Sequence, residues 1–261
     1  MRVSLAGVGA LGPGFDDWAE LREQLCSNEV SDVEMTSPKP AVIPPRERRR
    51  APLLVRVAVD VAAQACDAAG VDAKDVASVF ASGMGDMTIT DYMCRTLATD
   101  DKMLSPTRFH NSVHNAAAGY WSISTKCHEP ANSISGFRLT ATSGLLEAAA
   151  QCAFEKRPVL LVAFDVPGPS PIDAMNHIDA PFGAALVLTP DAGTHKLEMS
   201  VQPGNGDWPA LAGSRLQGLY DSNPAARLLA LLQTLDDDPT ADVALPLGPD
   251  CSLLVSTRRA A

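Results

Sequence analysis

The residues of this chain with the most chemical potential are a glycine-rich stretch near its start, five histidines and six cysteines. Gly7-Val8-Gly9-Ala10-Leu11-Gly12 follows a short apolar strand pattern, Arg2 to Ala6, in the spacing that dinucleotide-binding turns use. Such a turn needs the amides of a helix N-terminus facing the pyrophosphate. Here Pro13-Gly14 intervene and the helical pattern starts only near Asp16, so glycines serving a tight turn is the plainer reading, with nucleotide binding as an alternative. A second cluster, Asn111, His114 and Asn115, precedes a run of small residues. A histidine beside asparagine is usually a hydrogen-bonded structural residue. Paired with Ser135 or Ser143, His114 would instead suggest an acyltransferase or thioester hydrolase, which requires a contact that spacing alone does not supply. The cysteines, at 26, 66, 94, 127, 152 and 251, contain no Cys-x-x-Cys pair, so they read as reduced thiols rather than a zinc site or disulfide framework.

These residues must be positioned by a sizeable α/β framework. The chain has 261 residues; 46 % are apolar but only 5 % aromatic, which suits small side chains packed between helices and a buried sheet. The formal charge of −10 disfavours nucleic acid, and the one dense basic run, Arg46-Glu47-Arg48-Arg49-Arg50, suggests a solvated face or a local anion contact. No apolar run is long enough for a signal peptide or a membrane span, so a cytoplasmic protein is expected.

Along the chain, the glycine turn leads into a helix carrying Trp18, Leu21 and Leu25, and a proline-rich loop, 37–45, precedes a helix over Leu53 to Ala69 that stops at Gly70. Val76 to Ala81 reads as a strand, Ser82-Gly83-Met84-Gly85-Asp86 as a turn, and Thr88 to Ala98 as a helix. Asn132 to Ser135 is a short strand, after which Thr142 or Ser143 caps a helix through Cys152. Pro158 to Phe164 is a continuous apolar strand, and 167–181 a loop. Ala184 to Leu188 and Leu197 to Val201 are strands; Pro224 opens a helix to Leu235 that ends at the acidic turn Asp236 to Asp238, and Val243 to Leu245 and Ser252 to Val255 are short strands. Without repeats or a linker, one domain is expected.

In order and wording, these segments resemble the β-ketoacyl synthases, and in particular their short synthase-like relatives. Gly7-Val8-Gly9 with Asp17 to Leu21, Arg48-Arg49-Arg50 with the Ala-rich helix, Ser82-Gly83-Met84-Gly85, and Ser105-Pro106 through Asn115 and Gly119 all have counterparts there. So do Asn132 to Ser135, before the family's nucleophile, and Asn223 to Leu235 with Leu247 to Leu254 at the end. The resemblance implies a thiolase-like layered α/β fold in one domain, with 1–190 matching the family's N-terminal half and 191–261 an abbreviated remnant of its second.

The departures from the family bear on function. A working synthase carries the acyl chain on a cysteine at a strand-to-helix elbow and uses two histidines from its second half. In this sequence the elbow reads Ser135-Gly136-Phe137-Arg138-Leu139-Thr140, the nucleophile position falls at Arg138 or Leu139, and no histidine follows His195. The resemblance therefore implies a catalytically silent subunit, a chain length factor, that pairs with a full-length ketosynthase in a heterodimer or higher-order assembly. It most resembles the subunit associated with aryl polyene pigments, and implies an acyl carrier protein that reaches the catalytic partner. Tyr92, Met93, Leu97, Phe109 and Phe137 are the candidates to line or gate the acyl tunnel, and Asn111, His114, Asn115, Asn132 and Ile134 to lie at the interface. No cofactor and no metal are implied. A homodimeric regulatory or scaffold protein without a pocket is a further reading.

Overall fold

A computed structural model describes residues 1–25, 34–212, 215–235 and 240–260. Cys26 and the Asp236 to Asp238 turn lie outside the described residues. In chain order the elements are β1 (Arg2–Leu11), α1 (Trp18–Leu25), α2 (Pro45–Arg48), α3 (Leu53–Ala69), β2 (Ala77–Ala81), α4 (Met87–Leu97), α5 (Pro106–His110), α6 (Ala116–Thr125), β3 (Ala131–Ile134), α7 (Thr140–Glu155), β4 (Val159–Asp165), β5 (Phe182–Thr189), β6 (His195–Pro203), α8 (Gln217–Ser222), α9 (Leu229–Gln233), β7 (Thr240–Gly248) and β8 (Cys251–Arg259).

Among the described residues the strands form one mixed sheet, in the order β3-β2-β4-β5-β1-β6-β8-β7. β3, β2 and β4 run parallel; β5 is antiparallel to both β4 and β1, and β6, β8 and β7 add an antiparallel meander to the free side of β1. The portion after residue 190 thus continues the sheet of the first. One face packs on α3 and α6, through Val57, Val61, Ala65 and Trp121 against Phe80, Leu160, Val162 and Val187. The other packs on α7 and the 216–235 segment, through Leu145, Ala149, Leu228 and Leu232 against Val79, Leu161 and Leu186. Because both faces are covered, β4 and β5 are buried along their whole length, which explains their unbroken apolar sequence.

β1 departs from the sequence reading. It does not end at Ala6 but runs through Gly7 and Gly9 to Leu11, and the reversal comes later, where Gly12 and Phe15 exchange backbone hydrogen bonds. The two glycines serve close packing. A Cβ on Gly7 would lie 2.3 Å from the Ala65 carbonyl oxygen, and one on Gly9 2.2 Å from that of Val61. The backbone of α3 sits directly on the strand, leaving a pyrophosphate no access to these amides. α3 itself follows the sequence reading, ending in Gly70 at φ 64°, where glycine fits the left-handed conformation of a C-cap. α7 begins at Thr140, so Thr142 and Ser143 lie inside its first turn rather than capping it. The helix after Pro224 is a 3-10 turn, Ala225–Leu228, leading into the shorter α9, while β7 and β8 extend well beyond the short pieces expected, 243–245 and 252–255.

If Gly9 is a packing residue, Gly9→Ala lowers unfolding stability by about 2–3 kcal/mol through overpacking. Gly218→Ala, in α8 with open space around it, leaves stability unchanged or raises it by up to about 1 kcal/mol. Urea denaturation of both variants checks the contrast.

Candidate functional site

The carboxyl ends of the parallel strands converge on one buried group. Asp165 closes β4 and is 1 % exposed. Its Oδ1 accepts from the Ser82 hydroxyl at 2.8 Å and the Gly83 amide at 2.9 Å, and Oδ2 accepts from the same amide at 3.1 Å. The backbone amides of Met84 and Ala225 lie close enough to favour its charged form. Burial pushes its pKa up to about 7, although the Ser82 hydroxyl and the three amides each pull it down. Asn223, fully buried, completes the knot: its amide donates to the carbonyls of Asp165 and Ala180, and its oxygen accepts from the Ala225 amide.

Around this knot lie the pieces that the sequence singled out. His114 Nε2 is 3.0 Å from the Ser82 carbonyl, and the Ser135 hydroxyl donates to the Gly83 carbonyl at 2.8 Å. A side chain on Gly83 would crowd the Phe137 carbonyl at 3.1 Å and the Pro224 ring at 3.2 Å, so the glycine turn, the elbow and the 223–226 segment touch. The elbow is strained. Phe137 has φ 54°, which a bulky residue rarely adopts, and it is held there by Thr140, whose hydroxyl donates to the Phe137 carbonyl at 2.6 Å and accepts from the Gly136 amide at 2.9 Å. The Phe137 ring is 44 % exposed; Arg138 is exposed and Leu139 half-buried.

This geometry offers no activated nucleophile at the elbow. Cys152, about three helical turns further along α7, is fully buried, and its thiol is pushed up to about 11 by burial. Among the described residues no hydrogen bond joins His114 to Ser135, Ser143 or any other serine hydroxyl; the histidine faces a backbone carbonyl instead. No group of three or more His, Cys, Asp or Glu side chains among those residues is placed to hold a metal.

The tunnel and interface candidates fall into two groups. Tyr92 and Met93 are half-buried on α4 and Leu97 is half-exposed at its end. The Tyr92 hydroxyl accepts from the Ser105 amide at 2.9 Å, and the Arg108 guanidinium stacks 4.0 Å above its ring, which ties α4 to α5. Phe109, on α5, is 58 % exposed. A cavity of about 480 Å³ lies where α3, α4 and α5 meet, and of the sequence candidates only Asn111 lines it. Asn111 is buried with its amide donating to the Arg50 carbonyl, whereas His114 and Asn115 are exposed. Asn132 and Ile134 lie on β3, the outermost strand. Sequence reasoning missed Asp165 and Asn223; the available signal was a charged residue closing an otherwise continuous apolar strand.

The β-ketoacyl synthase N-terminal domain model matches residues 18–238. Comparison with curated proteins by sequence gives no match. Among solved structures, a chain of the ketosynthase (ApeO) in complex with its chain length factor (ApeC) from Xenorhabdus doucetiae aligns over 99 % of this chain and 100 % of its own, with a TM-score of 0.73 at 21 % identity. The ishigamide ketosynthase/chain length factor aligns over 100 % of both chains, with a TM-score of 0.72 at 12 % identity. AntDE:AntF, a type II acyl carrier protein in complex with its ketosynthase, aligns over 99 % of each chain, with a TM-score of 0.76 at 10 % identity. At these identities the likeness shows the fold, a thiolase-like α/β architecture.

The Asp165 knot has a measurable signature. Its carboxyl is raised above the ordinary value of 3.8, so between about pH 4 and about pH 7 the native state keeps a proton that the unfolded chain has lost. Stability contributed in this way is fully present below about pH 4 and is lost as the pH rises through about 7. Denaturant unfolding across that range should show falling stability in the wild type and a flatter profile in Asp165→Asn. Asp165→Ala, which leaves several buried donors unpaired, should cost at least about 3 kcal/mol.

Proposed function

The chain belongs to the β-ketoacyl synthase family, and from that premise we propose that it is a catalytically silent member that pairs with a full-length ketosynthase and shapes its acyl tunnel. The observation that carries this reading is the elbow. It has the hydrogen bonds and the strained backbone of a strand-to-helix turn, and the position where the resemblance places a nucleophilic cysteine falls at Arg138 or Leu139. The backbone strain costs on the order of 1–3 kcal/mol. Conserving that geometry without a thiol points to a structural use of the loop.

Pairing is supported by the free edge of the sheet. Among the described residues β3 has one strand neighbour, β2, and no strand pairs with its outer edge. Exposed apolar side chains stand on the helices that flank it on opposite faces, Ile123 on α6 at 77 % and Phe154 on α7 at 87 % exposure. A partner strand laid along β3 would satisfy the backbone and cover both side chains. In this reading Asn132 and Ile134 lie within the interface, with His114 and Asn115 at its margin.

The gating residues act by bulk. Tyr92 is held by the α4–α5 contacts, and with Met93, Leu97, Phe109 and Phe137 it forms the wall against which the partner's growing acyl chain stops. A carrier protein delivers that chain to the catalytic partner; this chain's own charge of −10 favours docking on the other subunit. The likeness to a chain of the ApeO–ApeC complex supports pairing with a ketosynthase, and the resemblance of the sequence to the aryl polyene subunit supports assigning the pair to that pathway within this reading.

Co-expression with a full-length ketosynthase should give a stable complex by size-exclusion chromatography. The Ile123→Glu/Phe154→Glu double variant, changed only at exposed positions, should fold normally but lose the complex; co-elution at the wild-type level counts against the β3 interface. In the reconstituted complex, Tyr92→Ala with Met93→Ala should lengthen the product by at least one extension unit, as read by mass spectrometry. Product of unchanged length removes these residues from the tunnel wall.

A further inference from the structure

The basic run at 46–50 finds no use in the proposed partnership. It occupies α2 and the turn leading into α3. Folding adds two further cations, Lys39 from the proline-rich segment before it and Arg56 from the first turn of α3. Lys39, Arg48, Arg49 and Arg56, with Pro45 and Ala51, line an open pocket of about 500 Å³. In a chain of net charge −10 this is a local inversion of sign.

The charges in the pocket are uncompensated. Among the described residues no carboxylate pairs with any of the four cations, and Glu47, within the run, reaches Arg50 instead, at 3.8 Å. Arg48 donates to the carbonyls of Lys39 at 3.1 Å and Pro40 at 3.0 Å. Arg56 donates to the Ser37 hydroxyl at 2.8 Å and the Pro38 carbonyl at 3.3 Å, while its buried Nε has no acceptor. Neutral oxygens orient a guanidinium without cancelling its charge. The plain alternative, that arginines merely strap segment 37–40 to α3, accounts for Arg48 and Arg56. It leaves out Lys39 and Arg49, whose side chains make no hydrogen bond or ion pair among the described residues.

We propose that this pocket binds a phosphate-class dianion, with Arg48 and Arg56 held in place by the 37–40 backbone and Lys39 and Arg49 free to close on the ligand. Pre-oriented guanidinium forks match the geometry of phosphate oxygens, and a doubly charged ligand turns the mutual repulsion of four cations into attraction. A carboxylate carries one charge and two oxygens, so it satisfies the set less well.

Calorimetric titration of the purified chain at constant low ionic strength tests this, with inorganic phosphate, glycerol phosphate and an oligoglutamate peptide as probes. Saturable phosphate binding is expected, at least tenfold weaker in Lys39→Ala/Arg49→Ala and unchanged in Arg46→Ala, which lies outside the lining. Tighter binding of glycerol phosphate assigns the site to a phosphomonoester, and the reverse order to the free ion. Equal binding of chloride or of the oligoglutamate, or a double variant that binds like the wild type, overturns the proposal.

Discussion

One buried carboxylate joins what would otherwise be separate parts. Asp165 sits at the end of β4, yet its carboxylate is bonded to the turn after β2 and its backbone carbonyl to Asn223. A carboxylate taken out of water is costly unless donors replace its hydration, and here the Ser82 hydroxyl and the Gly83 amide do so. None of those donors is local in sequence. The arrangement therefore exists only when the glycine turn, the strand end and the later segment are all in place. Asn223 extends the constraint by bridging to the carbonyls of Asp165 and Ala180. The later part of the chain is tied to the earlier part by polar contacts at this point as well as by the shared sheet.

The same knot explains the shape of the elbow. The Ser135 hydroxyl is anchored on the Gly83 carbonyl, and the Gly83 amide is anchored on Asp165. A side chain on Gly83 would press on the Phe137 carbonyl and the Pro224 ring. The loop geometry is dictated by packing around the knot rather than by the residue at the nucleophile position. The strained Phe137 is left exposed on the surface of this loop.

Much of the framework was legible because it depends on short-range pattern. α3 was readable end to end from small and apolar residues at helical spacing and a terminal Gly70, and β4 from an unbroken apolar run. β1 was misread because the role of a glycine depends on what packs against it, and the α3 backbone over Gly7 and Gly9 is more than fifty residues away in sequence. The cap of α7 lies at Leu139, three or four residues before Thr142 or Ser143, because Thr140 turns its hydroxyl back to the elbow and the helix starts there. At the site, the sequence pointed to His114, Ser135 and the elbow, which the fold does gather. It did not point to Asp165 or Asn223, whose weight comes from donors supplied by distant turns. The basic run was visible from the start, but the cations that complete it, Lys39 and Arg56, join it only on folding.

The two borders of the sheet argue for where a partner belongs. β7, at one border, carries Asp242 and Pro246 and a register irregularity between Pro246 and Gly248. A charge, a proline and a bulge are the devices that keep an edge strand from recruiting another chain. β3, at the other border, is Ala-Asn-Ser-Ile and has no charge, no proline and no break in its pairing with β2. An isolated protein protected at one edge and unprotected at the other would be open to non-specific pairing at the second. That asymmetry is resolved if the β3 edge is normally covered, and the apolar Ile123 and Phe154 on either side of it require the same cover. The edge and its flanking side chains thus set the same condition on the occupant: a strand with apolar shoulders on both faces, which is what a chain of the same fold presents.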